Sequence, residues 1–181
     1  MDILDVIKKE HRDVAALLKD ADACEPGDAR LIELAGTIAQ ALSTHVRIEE
    51  RLFYAKLRDR AEDTDELVDV YEAYTEHNVA GHLLALLKSG RKPDEKFKAE
   101  MQVLGENVKH HVQEEESKVF KIAREVIDQE ERDELGNQWA KARKLADSQA
   151  ARGLRARKKA PSRGTTARKK AAKKTQTSKR R

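Results

Sequence analysis

Apolar side chains recur at helical spacing along most of the chain, and short breaks divide the pattern into segments. Residues 2–22 carry a stripe of Leu4, Ile7, Val14, Leu18 and Ala21, with His11 filling the slot between Ile7 and Val14. Cys24-Glu25-Pro26-Gly27-Asp28 interrupts it as a first loop. A second helix is predicted over about 29–59, its stripe running Leu31, Leu34, Ile38, Leu42, His45, Glu49 and Leu52. Asp63-Thr64-Asp65 supplies a turn and an N-cap, and the third helix runs to about 88 with Leu67, Val70, Tyr74, His77, Gly81 and Leu84 inward. Gly90 and Pro93 close that segment. The fourth helix, about 94–127, has the cleanest period: Met101, Leu104, Val108, His111, Glu115, Val119, Ile122 and Val126. A shorter fifth segment, about 129–148, places Leu135, Trp139, Ala142 and Leu145 on one side.

Four long helices joined by short loops predict an all-α fold, an antiparallel up-down-up-down four-helix bundle with a short fifth helix packed across it. Composition agrees. Residues 1–150 are rich in Ala, Leu, Glu and Lys, with Pro only at 26 and 93. A single cysteine, Cys24, rules out a disulfide framework and a thiolate zinc site, and is read as packing. No apolar run is long enough for a signal peptide or a membrane span, so the expected address is cytoplasmic. Charge divides the chain: residues 1–150 carry a net charge of −10, and residues 151–181 carry +14 with no acidic residue. The expected organisation is therefore a bundle at 1–148 followed by a disordered basic tail at 149–181.

The stripes are unusual in their polar members. Each of the four helices turns one histidine inward, His11, His45, His77 and His111. Two helices add a carboxylate one turn later, Glu49 and Glu115, in His-x-x-x-Glu spacing. Each element taken alone has an ordinary reading, a hydrogen-bonded core histidine or a surface ion pair. Together at core positions they need a shared compensation, because a buried, unpaired carboxylate costs several kcal/mol or more. A pair of divalent ions supplies it, with the carboxylates bridging and the imidazoles outside. The donor set is nitrogen-rich and free of thiolate, which suits iron and would also accept manganese, zinc or copper. Among neighbouring candidates the period selects His111 and Glu115, since His110 and Glu114 share a solvent-like face.

The order His, His-x-x-x-Glu, His, His-x-x-x-Glu resembles the hemerythrin-like, or HHE cation-binding, family. The likeness covers about 2–147 and extends to Ile3 through His11, Glu49 through Tyr54 and Asn107 through Glu116. It implies a non-haem centre of two iron ions bridged by two carboxylates and an oxo or hydroxo group, with manganese or zinc as alternative occupants. His11, His45, Glu49, His77, His111 and Glu115 then match the ligands. Oxygen-carrying members have His-x-x-x-His on the third helix, whereas here the last position is Gly81. His82 sits about 140° round the helix from His77 and is expected to miss the site. An open position beside Gly81 invites O2, peroxide or nitric oxide. Tyr74, one turn before His77, is the candidate for supporting the ligands, while Tyr71 reads as core edge. Straight-helix geometry points Tyr54 partly away, and Trp139 reads as packing.

The tail is almost all Lys, Arg, Ala, Thr and Ser. Its candidate nucleic-acid contacts are Arg155, Arg157, Lys158, Lys159, Arg168, Lys169, Lys170, Lys173 and Lys174. Its composition resembles histone H1-like tails. Dense positive charge binds phosphate backbones without sequence preference, so DNA or another polyanion is the expected partner, with a place near the nucleoid. Two functions follow as expectations. The first is a di-iron protein that binds or reacts with O2, peroxide or nitric oxide in sensing, detoxification or iron handling; binding and turnover would use the same ligands. The alternative is a nucleoid-associated DNA-binding or regulatory protein whose metal is structural or a sensor input.

Overall fold

A computed structural model describes residues 1–87 and 91–159 of the 181-residue chain. Its elements are α1 (Ile3–Asp22), α2 (Ala29–Glu49), α3 (Ala55–Arg60), α4 (Thr64–Leu86), α5 (Glu95–Glu114), α6 (Phe120–Val126) and α7 (Gln129–Lys159). Two π-helical turns, Glu50–Tyr54 and Glu115–Val119, join α2 to α3 and α5 to α6, so each pair forms one continuous rod. No strand occurs among the described residues. The expected helical bundle is observed.

An aspartate starts each of the four long helices. Asp2, Asp28, Asp63 and Asp94 each accept a hydrogen bond from a backbone N–H of the first turn, at 2.7–2.9 Å. Each such cap contributes about 1 kcal/mol and fixes where its helix begins. The loop before α2 turns on Gly27, whose φ of +95° an L side chain would resist. Gly136 on α7 has a different reason. A Cβ there would lie 2.0 Å from the Met1 carbonyl oxygen, so only glycine lets the N-terminal backbone pass.

Helix α1 packs against α2 and α5, and α4 packs against α5 and α2, which closes the bundle. Its core falls into two apolar layers. One is built on Ile3, Ile7, Phe53, Leu57, Phe120 and Trp139, the other on Val14, Leu31, Ile38, Phe97, Met101 and Leu104. Burying a large apolar side chain contributes roughly 1.5–3 kcal/mol, so these layers drive folding. Between them lies a stratum of buried polar side chains: His11, His45, Glu49, His77, His111 and Glu115.

Three details differ from expectation. On α7 the buried apolar side chains are Leu135, Trp139 and Ala146, while Leu145 is exposed; 135, 139, 142 and 146 keep the 3–4 spacing that 145 breaks. Gly81 and Tyr71 lie on the outside of α4. The last helix runs to Lys159 rather than ending at 148, because residues 149–159 are mostly Gln, Ala, Arg and Lys, all good helix formers. It thus enters the segment expected to be disordered. The contacts divide the chain after Ala146. Of the tail candidates, Arg168, Lys169, Lys170, Lys173 and Lys174 lie outside the described residues, as do the side chains of Arg155, Arg157, Lys158 and Lys159. No helix among the described residues is long and apolar enough to cross a membrane.

Candidate metal centre

All six inward polar residues meet in one place. Their relative exposures are 0–7 %, far below what ionisable groups normally tolerate. Glu49 Oε2 stands 3.2 Å from His45 Nε2 and 3.3 Å from His77 Nε2. Glu115 Oε2 stands 3.1 Å from His11 Nε2 and 3.6 Å from His111 Nε2. The Nε2 atoms of His77 and His111 are 3.1 Å apart. Three sets of donor atoms fall within 4.8 Å of one another: His11, His111 and Glu115; His11, His45 and Glu49; and Glu49, His77 and His111.

Most of these contacts are short without being satisfied hydrogen bonds. His11 Nε2, His45 Nε2, both oxygens of Glu49 and Glu115 Oε2 have no properly aligned partner, although ion-pair distances separate them. Proximity alone does not make a hydrogen bond, which needs alignment as well. Donor atoms that crowd together without pairing leave room for a cation among them.

The far side of each ring explains why the Nε2 atoms face inward. His45 Nδ1 donates to Glu10 at 3.0 Å, and His77 Nδ1 to Glu50 at 3.1 Å. His111 Nδ1 donates to Glu76 at 2.8 Å, and His11 Nδ1 to Glu116 at 2.9 Å. An ionised carboxylate only accepts, so the Nδ1 atom must carry the proton and the Nε2 lone pair is turned to the centre. The four bonds form a closed ring around the bundle. Helix α1 supplies Glu10 for the histidine of α2, and the first π turn supplies Glu50 for α4. Helix α4 supplies Glu76 for α5, and the second π turn supplies Glu116 for α1. These outer carboxylates are themselves held. Trp139 Nε1 donates to Glu10 at 3.0 Å, Arg143 does so at 2.8 Å, and Lys8 lies 3.9 Å from Glu116.

Electrostatics reach the same conclusion. Burial opposes charge on the imidazoles of His11, His45 and His77, but the carboxylates outweigh it. Glu49 and Glu10 lift His45 to about 10, Glu49 and Glu50 lift His77 to about 9, and Glu115 raises His11. Burial likewise opposes ionisation of Glu49, yet His45 and His77 hold it well below the usual carboxylate range. Left to itself, the site collects protons to balance its carboxylates. Divalent cations compete for the same donors.

The two π turns add a residue the straight-helix reading misplaced. In a π turn position i+5 returns to the face of i, so Tyr54 comes round onto the face of Glu49. It is fully buried, donates to Glu115 Oε1 at 3.1 Å and stacks on the His77 ring at 5.3 Å. Burial and the charges of Glu115 and Glu49 keep its phenol protonated well past the ordinary range. Tyr74, the expected supporting residue, instead donates to the Glu50 carbonyl at 3.2 Å and meets the ligand candidates through Tyr54. Trp139 is packing and also a hydrogen-bond donor. His82 binds its own helix at the Asn78 carbonyl, 2.7 Å away, and misses the site as expected. Exposed His110 pairs with Glu76 at 3.3 Å.

Gly81 opens to solvent beside the site. It is exposed in a groove of about 570 Å³ between α2 and α4 that reaches His77, and a Cβ there would meet nothing within 4 Å. Ala80, its neighbour, is the small residue that faces the histidines. With Val14, Leu42, Asn107 and Val108 it lines a cavity of about 20 Å³ above the four rings, room for about one water-sized molecule. A wider groove of about 720 Å³ between α1 and α5 also reaches His11.

The Hemerythrin HHE cation binding domain family matches residues 2–123. A curated relative from Nostoc sp., described as a DNA nickase, is 30 % identical over 149 residues. That match takes in 82 % of this chain and 40 % of the relative, so the chain spans well under half its relative's length. Among solved structures, a Hemerythrin HHE cation binding domain-containing protein from Mycobacterium kansasii superposes with a TM-score of 0.73 at 22 % identity. That superposition covers 86 % of this chain and 93 % of the other, and it shows a shared fold.

Proposed function

The chain belongs to the hemerythrin HHE cation-binding family, and from that premise we propose that it holds two iron ions and brings them into contact with O2, peroxide or nitric oxide. His11, His45, His77 and His111 would be terminal ligands, and Glu49 and Glu115 would bridge. The observation that carries this reading is the ring of Nδ1–carboxylate bonds, which turns four Nε2 lone pairs onto two buried carboxylates, with both oxygens of Glu49 and Oε2 of Glu115 unpaired. Imidazole held by an outer carboxylate is the usual arrangement of a metal-ligating histidine. The donor set fits: nitrogen and oxygen without thiolate suits iron, and manganese or zinc would accept the same atoms.

When bound, the ions supply a change of oxidation state and exchangeable coordination positions. The protein's own part is positional. Glu10, Glu50, Glu76 and Glu116 fix each tautomer, and Tyr54 holds one oxygen of Glu115 so that the carboxylate cannot swing away. The apolar walls of the small cavity exclude bulk water and limit what approaches the rings. Those features serve sensing, detoxification or iron handling.

The test is reactivity. Protein loaded with iron(II) under anaerobic conditions is expected to change its absorption spectrum on addition of hydrogen peroxide, O2 or nitric oxide. Iron-loaded protein indifferent to all three would leave the metal structural.

A second reading draws on the net charge of +14 in residues 151–181 and on the relative described as a DNA nickase. In it the tail associates with DNA, with or without metal. Phosphate neutralisation makes such binding fall steeply with salt. The full chain should bind duplex DNA with that signature, and a chain ending at Asp147 should bind far more weakly. Equal affinity for the two removes this reading, and nicking of supercoiled plasmid by the metal-loaded chain would extend it.

A further inference from the structure

Three tyrosines lead from the buried site to the surface. Tyr54 is fully buried, with its hydroxyl on Glu115 and its ring stacked on His77. The Tyr54 and Tyr74 ring centroids are 5.1 Å apart, edge to face. Tyr74 is half-buried, and its ring centroid is 6.3 Å from that of Tyr71. Tyr71 is 53 % exposed. The rings are in or near van der Waals contact. An exposed tyrosine ring on an outer helix face gains little from burial, so Tyr71 in particular lacks a structural reason.

We propose that Tyr54, Tyr74 and Tyr71 form an electron relay that carries oxidising equivalents away from the site to the surface. The inference rests on the reaction with peroxide proposed above, and hydrogen peroxide is its oxidant. Reducing one H2O2 to two H2O takes two electrons and two protons. Tyr54 gives up one electron, and its proton moves along the existing hydrogen bond to Glu115 Oε1. Tyr74 then gives an electron to the Tyr54 radical, which recovers its proton from Glu115, while half-buried Tyr74 releases its own proton to solvent. Tyr71 gives an electron to Tyr74, which takes a proton back from solvent, and Tyr71 loses its own proton to solvent. The outcome per transfer is one tyrosyl radical at Tyr71 and one proton in water. Two such radicals on separate chains couple through a carbon–carbon bond to dityrosine. The second electron for each H2O2 comes from the iron(II) that the protein carries, so on each chain H2O2, one iron(II), one tyrosine and one proton give two H2O, one iron(III) and one tyrosyl radical, and two such radicals give one dityrosine. The relay keeps the oxidation off the imidazoles and carboxylates that hold the site.

The test compares full-length wild type, Tyr71→Phe and Tyr74→Phe, each loaded with iron(II) and mixed with hydrogen peroxide. Electron paramagnetic resonance of frozen samples reads the tyrosyl radical, and mass spectrometry of digests locates dityrosine. Wild type is expected to show a tyrosyl signal and dityrosine at Tyr71. Tyr71→Phe should lose the cross-link. Tyr74→Phe should lose it too while Tyr71 is still present, with the radical held at Tyr54. Hydroxyl radicals formed in bulk solution would mark exposed Tyr71 whether or not Tyr74 is there, so a full cross-link yield in Tyr74→Phe overturns the relay. Peroxide consumption by wild type without a tyrosyl signal also overturns it, and leaves the metal reading standing. Failure to bind iron or consume peroxide overturns both. Should Tyr74→Phe lose its iron, Tyr71→Phe decides alone: an unchanged dityrosine yield sinks the proposal.

Discussion

Glu49→Gln is expected to strip the site of its metal while leaving the bundle folded. The substitution keeps the shape of a side chain that is 0 % exposed and lies within 3.3 Å of two imidazole nitrogens. It removes the charge and one of two ligating oxygens. A neutral amide cannot bridge two cations, and its N–H group can donate to the Nε2 lone pairs that the cations would otherwise use. Loss of an outer carboxylate such as Glu76 costs about 10–100-fold in metal affinity, since it only loosens the tautomer and orientation of His111. Loss of Glu49 should exceed that range. Chelator competition on wild type, Glu76→Gln and Glu49→Gln, followed by metal analysis after desalting, gives the three affinities. Wild-type metal content in Glu49→Gln would refute its bridging role.

Metal removal is expected to expose a strong pH dependence of stability. In the metal-free chain His45 and His77 titrate at about 10 and about 9, against an ordinary value near 6.5. Both are raised on folding. Their charged forms therefore add stability that is fully present below pH 6.5 and lost as the pH climbs through 9 to 10. Glu49 is depressed and acts oppositely: its contribution is present above pH 4.5 and lost in acid. Both imidazolium groups lean on the same Glu49, so they share one stabilisation. Removing a partner from a buried pair costs about 3–5 kcal/mol. For a domain of this size, that corresponds to a fall in Tm of roughly 10 °C. Thermal unfolding with excess chelator at pH 6.5 and pH 10 should show this fall, and the metal-loaded protein should show much less, because the cations replace the protons. Equal Tm values for the metal-free chain would mean that the imidazoles do not carry the charge.

The pattern of apolar residues disclosed the bundle and the convergence of six polar side chains, because His11, His45, Glu49, His77, His111 and Glu115 occupy slots that the 3.6-residue period sends inward. The outer carboxylates escaped that reading. Each is adjacent in sequence to a candidate ligand, in Glu10-His11, Glu49-Glu50, Glu76-His77 and Glu115-Glu116. One residue is about 100° of rotation, which moves a side chain off the stripe and into the seam with the next helix. There Glu50 looks like a solvent-facing residue until its partner on α4 is known. A carboxylate next in sequence to four of the six inward residues was the available signal. Tyr54 was misplaced because a π turn is set by the demands of the assembled site and has no local signature. Gly81 was read as inward although it is exposed, because α4 carries a second apolar row, Val68, Tyr71, Val79 and Leu86, on its outer face, which blurs the inward stripe.

The central claim is that the buried histidines and carboxylates hold a metal pair, and metal stoichiometry tests it most directly. After iron loading under both aerobic and anaerobic conditions, the desalted protein should contain about two iron ions per chain. A content below about one metal ion per chain under both conditions would contradict it.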